Sequence, residues 1–284
     1  MPHMTTTEIL KKVGATPLKT KTLLSGVRAG QFKVQATGSG YDFDQLREYQ
    51  NGDDFRRIDW KSSARTQTLL LREYKDERSR STHVLLDASG SMNYGSQELL
   101  LADVAQDLVV ALFGMARVTD DDLALYCSGN GGGSYFGPRA GERHLMHLIR
   151  VLKSDIAYQG DTSLQHMLSS FSRRCRKKSL VFLISDFIDH NYETTIRFLT
   201  RQHEVAIIRL RDQQEDFILD VADTIACEDS ERGNVLYSSS SAQAIRLWRD
   251  KQTTFFKQLQ VPWFDCYNDG NHIEELLKFV RRYF

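Results

Sequence analysis

The chain has no cysteines at metal spacing, no net charge and no apolar run of bilayer length, and each absence removes a class of function. Its four cysteines, Cys127, Cys175, Cys227 and Cys266, lie far apart with no C-x-x-C pair, which argues against both a zinc site and a disulfide framework. They are expected to be reduced thiols in a cytosolic protein. Lysine and arginine total 37, as do aspartate and glutamate, so no global field recruits nucleic acid or an anionic membrane. The local basic run Arg173, Arg174, Arg176, Lys177 and Lys178 reads as the solvated C-terminal turn of a helix, where positive charge complements the dipole. The longest apolar segment, Leu108 to Met115, is too short to span a bilayer, and no signal peptide is read at the start. A soluble, cytoplasmic protein is the expectation.

Catalytic signatures are missing as well. The stretch Gly129 to Gly133 lacks the G-x-x-x-x-G-K-[ST] pattern of a phosphate-binding loop and reads as a hairpin turn. Neither Ser89 nor Ser91 sits in a G-x-S-x-G elbow, and no histidine is recognisably placed as a base, so nucleophilic hydrolysis has little support. His144 and His147, three residues apart on an expected helix, have no third ligand in view and read as a surface pair.

What the chain does have is length, 284 residues, and 41% hydrophobic content, enough to bury a full α/β domain and carry an extra module. From Thr82 onward, apolar runs alternate with helical patterns, which predicts a mostly parallel sheet with helices on both faces. Strands are expected ending at Asp87, over Leu123 to Cys127, from Ser134 to Phe136, up to Asp186, over Val205 to Leu210 and over Trp263 to Cys266. Helices are expected over Ser96 to Arg117, Glu142 to Lys153, from Thr162, over Tyr192 to Arg201, Ala242 to Leu259 and Ile273 to Tyr283. Thr224 to Tyr237, split by Arg232-Gly233-Asn234, reads as a hairpin. The expected architecture is a three-layer α/β/α domain over residues 80–284, with one antiparallel edge strand from the Ser134 segment. Residues 1–79, punctuated by Gly26, Gly30, Gly38, Gly40 and Gly52, read as a small β-rich module.

Chemistry gathers at the ends of the expected strands. Asp87-Ala88-Ser89-Gly90-Ser91-Met92 sets a carboxylate and two hydroxyls on alternate residues as the apolar run Val84 to Leu86 ends. Oxygen donors without histidine or cysteine suit Mg²⁺ or Mn²⁺ better than zinc or copper. The same hexapeptide also reads as a plain strand-to-helix turn, since aspartate and serine cap helices. Thr162 ends the polar turn from Gln159 and opens the periodic run Leu164, Met167, Leu168 and Phe171, so its hydroxyl is expected at a helix N-terminus, as a ligand or as the cap itself. Leu180 to Asp186 is a continuous apolar run ending in an acid, as in a strand buried on both faces, and ligands of open α/β sheets gather at such carboxyl ends.

Together, Asp87, Ser89, Ser91, Thr162 and Asp186 resemble the metal-ion-dependent adhesion site of von Willebrand factor A domains. The resemblance implies direct ligation by Ser89, Ser91 and Thr162, with Asp87 and Asp186 completing the shell directly or through water. It also implies one open position, which a partner's Asp or Glu commonly takes in that family.

A second signature precedes the first. Phe43, Arg47-Glu48-Tyr49, Gly52-Asp53, Arg56, Ile58-Asp59-Trp60 and Ala64-Arg65, followed by Leu69 to Tyr74, closely resemble the bacterial and archaeal family called domain of unknown function 58. That resemblance implies a von Willebrand A-like fold and, as partner, a MoxR-type AAA+ ATPase with which such proteins act as adaptors in chaperone-like maturation. Many members carry two transmembrane helices ahead of this region; none is read here, which favours a soluble role. Asp53, Asp54, Arg56, Arg57, Asp59 and Arg65 are expected to form bidentate ion pairs that lock this segment onto the sheet domain, with Ile58 and Trp60 as its apolar anchor. The leading expectation is a non-enzymatic, metal-dependent interaction module. The alternatives are a Mg²⁺-dependent phosphoryl hydrolase using Asp87 or Asp186, and a scaffold whose site stays empty.

Overall fold

A computed structural model describes residues 4–14, 16–18, 43–50, 53–74, 80–96, 98–129, 133–154, 156, 158, 163–189, 191–214, 225–228, 235–238 and 241–284. Thr162 and its turn therefore lie outside the described residues, as do Gly26, Gly30, Gly38, Gly40, Gly52 and residues 130–132. By packing, the chain forms two compact units, Met1–Lys21 with Arg80–Phe284, and Thr22–Ser79.

In the larger unit, helix α1 (Thr6–Val13) precedes the alternating elements. Two further segments, β1 (Phe43–Glu48) and β2 (Leu70–Tyr74), with helix α2 (Trp60–Thr66) between them, belong to the smaller unit. The larger unit then continues as β3 (Ser81–Leu86), α3 (Leu101–Val118), β4 (Asp122–Cys127), β5 (Ser134–Arg139), α4 (Glu142–Ser154), α5 (Leu164–Arg174), β6 (Leu180–Ser185) and α6 (Glu193–Gln202). It closes with β7 (Glu204–Arg211), the hairpin β8 (Ile225–Glu228) and β9 (Val235–Ser238), α7 (Ser241–Leu259), β10 (Trp263–Tyr267) and α8 (His272–Tyr283).

Six strands make one sheet in the order β10-β7-β6-β3-β4-β5, all parallel except β5, which runs antiparallel to β4 at the edge. The Ser134 segment thus supplies the antiparallel edge its glycine-rich approach suggested. Side chains alternate between two cores. Val84, Leu86, Phe182, Ile184 and Ile208 face α1, α3, α4 and α8, whereas Leu85, Val181, Leu183 and Ile207 face α5, α6 and α7. Central strands clad on both sides are buried along their whole length, as β3 and β6 are from end to end, and their inner positions are mostly apolar. The result is the expected three-layer α/β/α fold.

Two boundaries differ from the sequence expectation for identifiable reasons. Helix α3 starts at Leu101 rather than near Ser96, because the Ser96 amide and hydroxyl both donate to the Asp212 carboxylate and hold that stretch at the end of β7. Helix α1, read with the N-terminal module, packs instead on α3, burying Ile9 and Val13. Gly114 allows that approach: a Cβ there would come within 2.8 Å of a Val13 methyl.

In the smaller unit, β1 pairs antiparallel with β2. Arg47 grips Asp53 with two bonds of 2.7 Å, and that interaction holds the Asp53 carboxyl down at about 2. Asp54 caps the 3-10 turn Phe55–Arg57, and Asp59 caps α2 by accepting from Lys61 and Ser62 amides. These signature acids therefore order their own unit. Within that unit Ile58 is buried and bridges Leu71, whereas Trp60, the first residue of α2, is exposed. His144 is tied to the Leu123 carbonyl at 2.9 Å. No described helix is long and apolar enough to cross a membrane.

On the α5 side, His83 and His203 are both buried against Phe171, at ring distances of 5.2 and 5.4 Å. Burial lowers both imidazoles, and the neighbouring His203 adds to the effect on His83, bringing it to about 4 from an ordinary 6.5. The unfolded chain therefore binds these protons first, so stability is complete above pH 6.5 and is lost as pH falls towards 4. His83 alone contributes a loss of about 3 kcal/mol by pH 4. Urea unfolding across this range is expected to show it, and His83→Gln is expected to flatten the profile.

Candidate metal site

Parallel pairing sets three strand ends side by side at one edge of the sheet. The ladder continues past β3, with the Asp87 amide donating to the Ile184 carbonyl at 3.0 Å and the Ser128 amide to the Leu86 carbonyl at 2.9 Å. Asp87 thereby stands between Ser128, just after β4, and Ser185, the last residue of β6.

Its carboxylate is held from both sides. Oδ1 accepts from the Ser128 hydroxyl at 3.1 Å and from the Ser89 amide at 3.0 Å, while Oδ2 accepts from the Ser185 hydroxyl at 2.7 Å. Each hydroxyl in turn accepts a backbone amide, Ala88 for Ser128 at 3.0 Å and Phe187 for Ser185 at 2.8 Å. A hydroxyl that accepts from an amide directs its single proton elsewhere, here to Asp87.

Beyond Asp87 the chain makes a 3-10 turn over Gly90–Asn93, pinned by fully buried Met92. The turn brings the Ser89 and Ser91 hydroxyls to 2.8 Å from each other, both buried and neither used as a cap for the turn's own backbone. Asp186, also buried, follows Ser185 directly and accepts from the Ile188 amide at 3.0 Å. The next residue, Phe187, has φ of 59°, a left-handed conformation that costs a non-glycine residue roughly 1–3 kcal/mol.

Four of the five residues singled out in the sequence can be located, and Asp87, Ser89 and Ser91 form one hydrogen-bonded group, with Asp186 adjoining Asp87's partner Ser185. Thr162 lies outside the described residues. The capping role open to it belongs instead to Ser163, whose hydroxyl accepts from the His166 amide at 3.3 Å. The start of α5 is also tied across to the Asp186 loop, the Leu164 amide donating to Asp189 at 2.6 Å. Among the described residues there is no group of three or more His, Cys, Asp or Glu able to hold a metal, so an ion here would rely on hydroxyls with two carboxylates. That donor set is hard oxygen throughout and fits Mg²⁺ or Mn²⁺.

Sequence reasoning missed Ser128 and Ser185. Their only signal is that each stands where an apolar strand run ends. It also missed Asp212, fully buried, which accepts from Ser96, Asn268 at 2.7 Å and Gln214 at 2.9 Å and so fixes the approach to α3.

Residues 45–255 match the model of a family described as protein of unknown function DUF58. The chain belongs to that family. A relative in sequence, the uncharacterized protein Rv1480 of Mycobacterium tuberculosis, is 26% identical over 275 residues, covering 93% of this chain and 86% of that protein. Similar solved structures include the SpRpn10 VWA domain, with a TM-score of 0.43 and 11% identity over 70% of this chain and 93% of that one. Another is the manganese-loaded TRAP protein of Plasmodium vivax, with a TM-score of 0.33 and 18% identity over 46% and 57% of the two chains. The fold assignment of this DUF58 protein rests on its own strand order and layering.

Ser185→Ala and Ser128→Ala each remove a hydroxyl from a buried carboxylate, so each is expected to destabilise the protein by about 1.5–3 kcal/mol. The shorter bond from fully buried Ser185 predicts the larger loss. Urea titrations of the two variants against the parent check both the size and the order.

Proposed function

We propose that this protein is a non-enzymatic interaction module that engages a carboxylate of a partner protein through Mg²⁺ or Mn²⁺. Ser89, Ser91 and Thr162 hold the ion, with Asp87 and Asp186 completing its shell directly or through water. The observation that carries this reading is the buried Ser89–Ser91 hydroxyl pair, 2.8 Å apart and beside a carboxylate that two further serines hold in one orientation. The tie between Leu164 and Asp189 supports including Thr162, because it brings the start of α5 to the loop that carries Asp186. When bound, the cation supplies an attraction for an incoming acidic side chain.

The chain's own residues account for the rest. Asp87 accepts from the Ser128 and Ser185 hydroxyls and the Ser89 amide, which suits an orienting anion better than a nucleophile. Serine hydroxyls are neutral ligands, so the ion keeps more of its charge for a partner's carboxylate than it would in an all-carboxylate cage. Membership of the DUF58 family, with the adaptor role its resemblance implies, supports a MoxR-type AAA+ ATPase or its client as that partner.

A pull-down of the purified protein with the cognate MoxR-type ATPase tests this. Capture is expected in Mg²⁺ and is expected to fall at least tenfold with chelator or with Asp87→Ala, while Mn²⁺ alone raises the melting temperature of the parent. Capture indifferent to both treatments overturns the metal-mediated reading. Turnover of generic phosphoesters that Asp87→Asn abolishes would replace it with the hydrolase.

A further inference from the structure

The backbone after Asp186 is held in a conformation that its sequence does not favour. Phe187 is fully buried with φ of 59°, and no glycine relieves the strain. Such a conformation persists only where the surroundings over-determine it. Two hydrogen bonds do so here: the Phe187 amide donates to Ser185 at 2.8 Å, and its carbonyl accepts from Gln252 Nε2 at 2.8 Å. The ring is clamped as well, edge-on to Tyr192 at 5.5 Å and to Phe256 at 5.0 Å.

Gln252 comes from α7, a helix that contributes none of the candidate ligands. Its side chain is buried and its amide is used at every end: Nε2 donates to the Phe187 carbonyl and to the Tyr192 hydroxyl at 3.0 Å, and Oε1 accepts from Arg209 Nη1 at 3.1 Å. Arginine has donors only, so Arg209 dictates which way the amide faces and aims Nε2 at Phe187. Arg209 is itself immobilised, by Asp265 on the adjacent strand at 2.5 and 2.9 Å and by Thr253 at 3.2 Å. The register also places Arg209 directly beside Ser185 on β6.

These contacts run from Asp265 to Arg209 to Gln252 to the Phe187 carbonyl, and from the Phe187 amide on the other side of the same residue to Ser185 and Asp87. We propose that Gln252 is a positioning residue for the Asp87–Asp186 site: it holds the left-handed Phe187 turn, and through it the Ser185 hydroxyl and the two carboxylates, in the geometry the site requires. The turn's dependence on Gln252 stands on the hydrogen bonds alone; its consequence for Mg²⁺ or Mn²⁺ rests on the proposed function.

Gln252→Glu separates positioning from bulk stability. It keeps an acceptor for Arg209 at the same length of side chain and removes the two Nε2 donors, so the Phe187 carbonyl loses its partner and faces an anion. Hydrogen exchange is expected to speed up tenfold or more at the Phe187 and Ile188 amides, with α8 unchanged and with Gln258→Ala, an exposed glutamine of the same helix, silent. Mn²⁺ affinity, followed by electron paramagnetic resonance, is expected to drop at least tenfold. Gln252→Leu, which also deprives Arg209 of its acceptor, is expected to show the same local loosening together with a lower melting temperature.

Wild-type exchange rates at Phe187 and Ile188 in Gln252→Glu overturn the proposal, as does wild-type Mn²⁺ affinity once exchange has accelerated. Asp87→Ala is the separate control for the metal. If the parent itself binds no Mn²⁺, or binds it as well as Asp87→Ala does, the metal reading fails, and the exchange rates alone then decide whether Gln252 positions the turn.

Discussion

A carboxylate at the end of a central, doubly covered strand has no water to satisfy it, so its neighbours must. Asp87 meets that constraint with hydroxyls from the strands on either side, Ser128 and Ser185, and with the Ser89 amide of its own loop. An ionised group left unpaired at such a site would be severely destabilising. The site is therefore inseparable from the order β4-β3-β6: another strand beside β3, or a slip of one residue in register, would remove one donor and turn the other to the opposite face. The same arrangement that satisfies the charge leaves the Ser89 and Ser91 hydroxyls in contact with each other beside it.

The two edges of the sheet are built differently. At the carboxyl edge, buried acids are met by several donors each, Asp87 by serines and an amide and Asp212 by Ser96, Asn268 and Gln214, and half-buried Asp265 is met by the Arg209 guanidinium. Networks completed in this way hold loops in single conformations, which a site assembled from separate loops needs. Near the amino edge, His83 and His203 instead carry buried ring nitrogens without hydrogen-bond partners, and Cys175 lies 3.7 Å from His83. Neutral rings tolerate that environment and protonated ones do not, so acid weakens the packing around these two rings.

Much of this was legible in the chain. The unbroken apolar run of β6 announced a strand covered on both faces, and the glycine-rich approach to the Ser134 segment announced an antiparallel edge, because both signals are local. Asp87, Ser89 and Ser91 could be picked out together because a single turn carries all three. The start of α3 was misread because the force that delays it, Ser96 bound to Asp212, spans 116 residues of sequence. The placement of α1 was missed for a similar reason: its amphipathic pattern says that a face is buried without saying against what. Thr162 was offered a cap that Ser163 holds, a difference of one residue that only the bond to His166 decides.

By itself, then, the sequence determined the alternation of strands and helices, the family and the oxygen-rich motif after β3, since side-chain period and short spacings are written locally. Tertiary structure alone decided which side chains serve that motif. Ser128, Ser185 and Gln252 lie 41, 98 and 165 residues beyond Asp87, and each looks ordinary in its own segment. Their importance comes from strand register and from the left-handed turn at Phe187, and both are properties of the packed sheet rather than of any local stretch of chain.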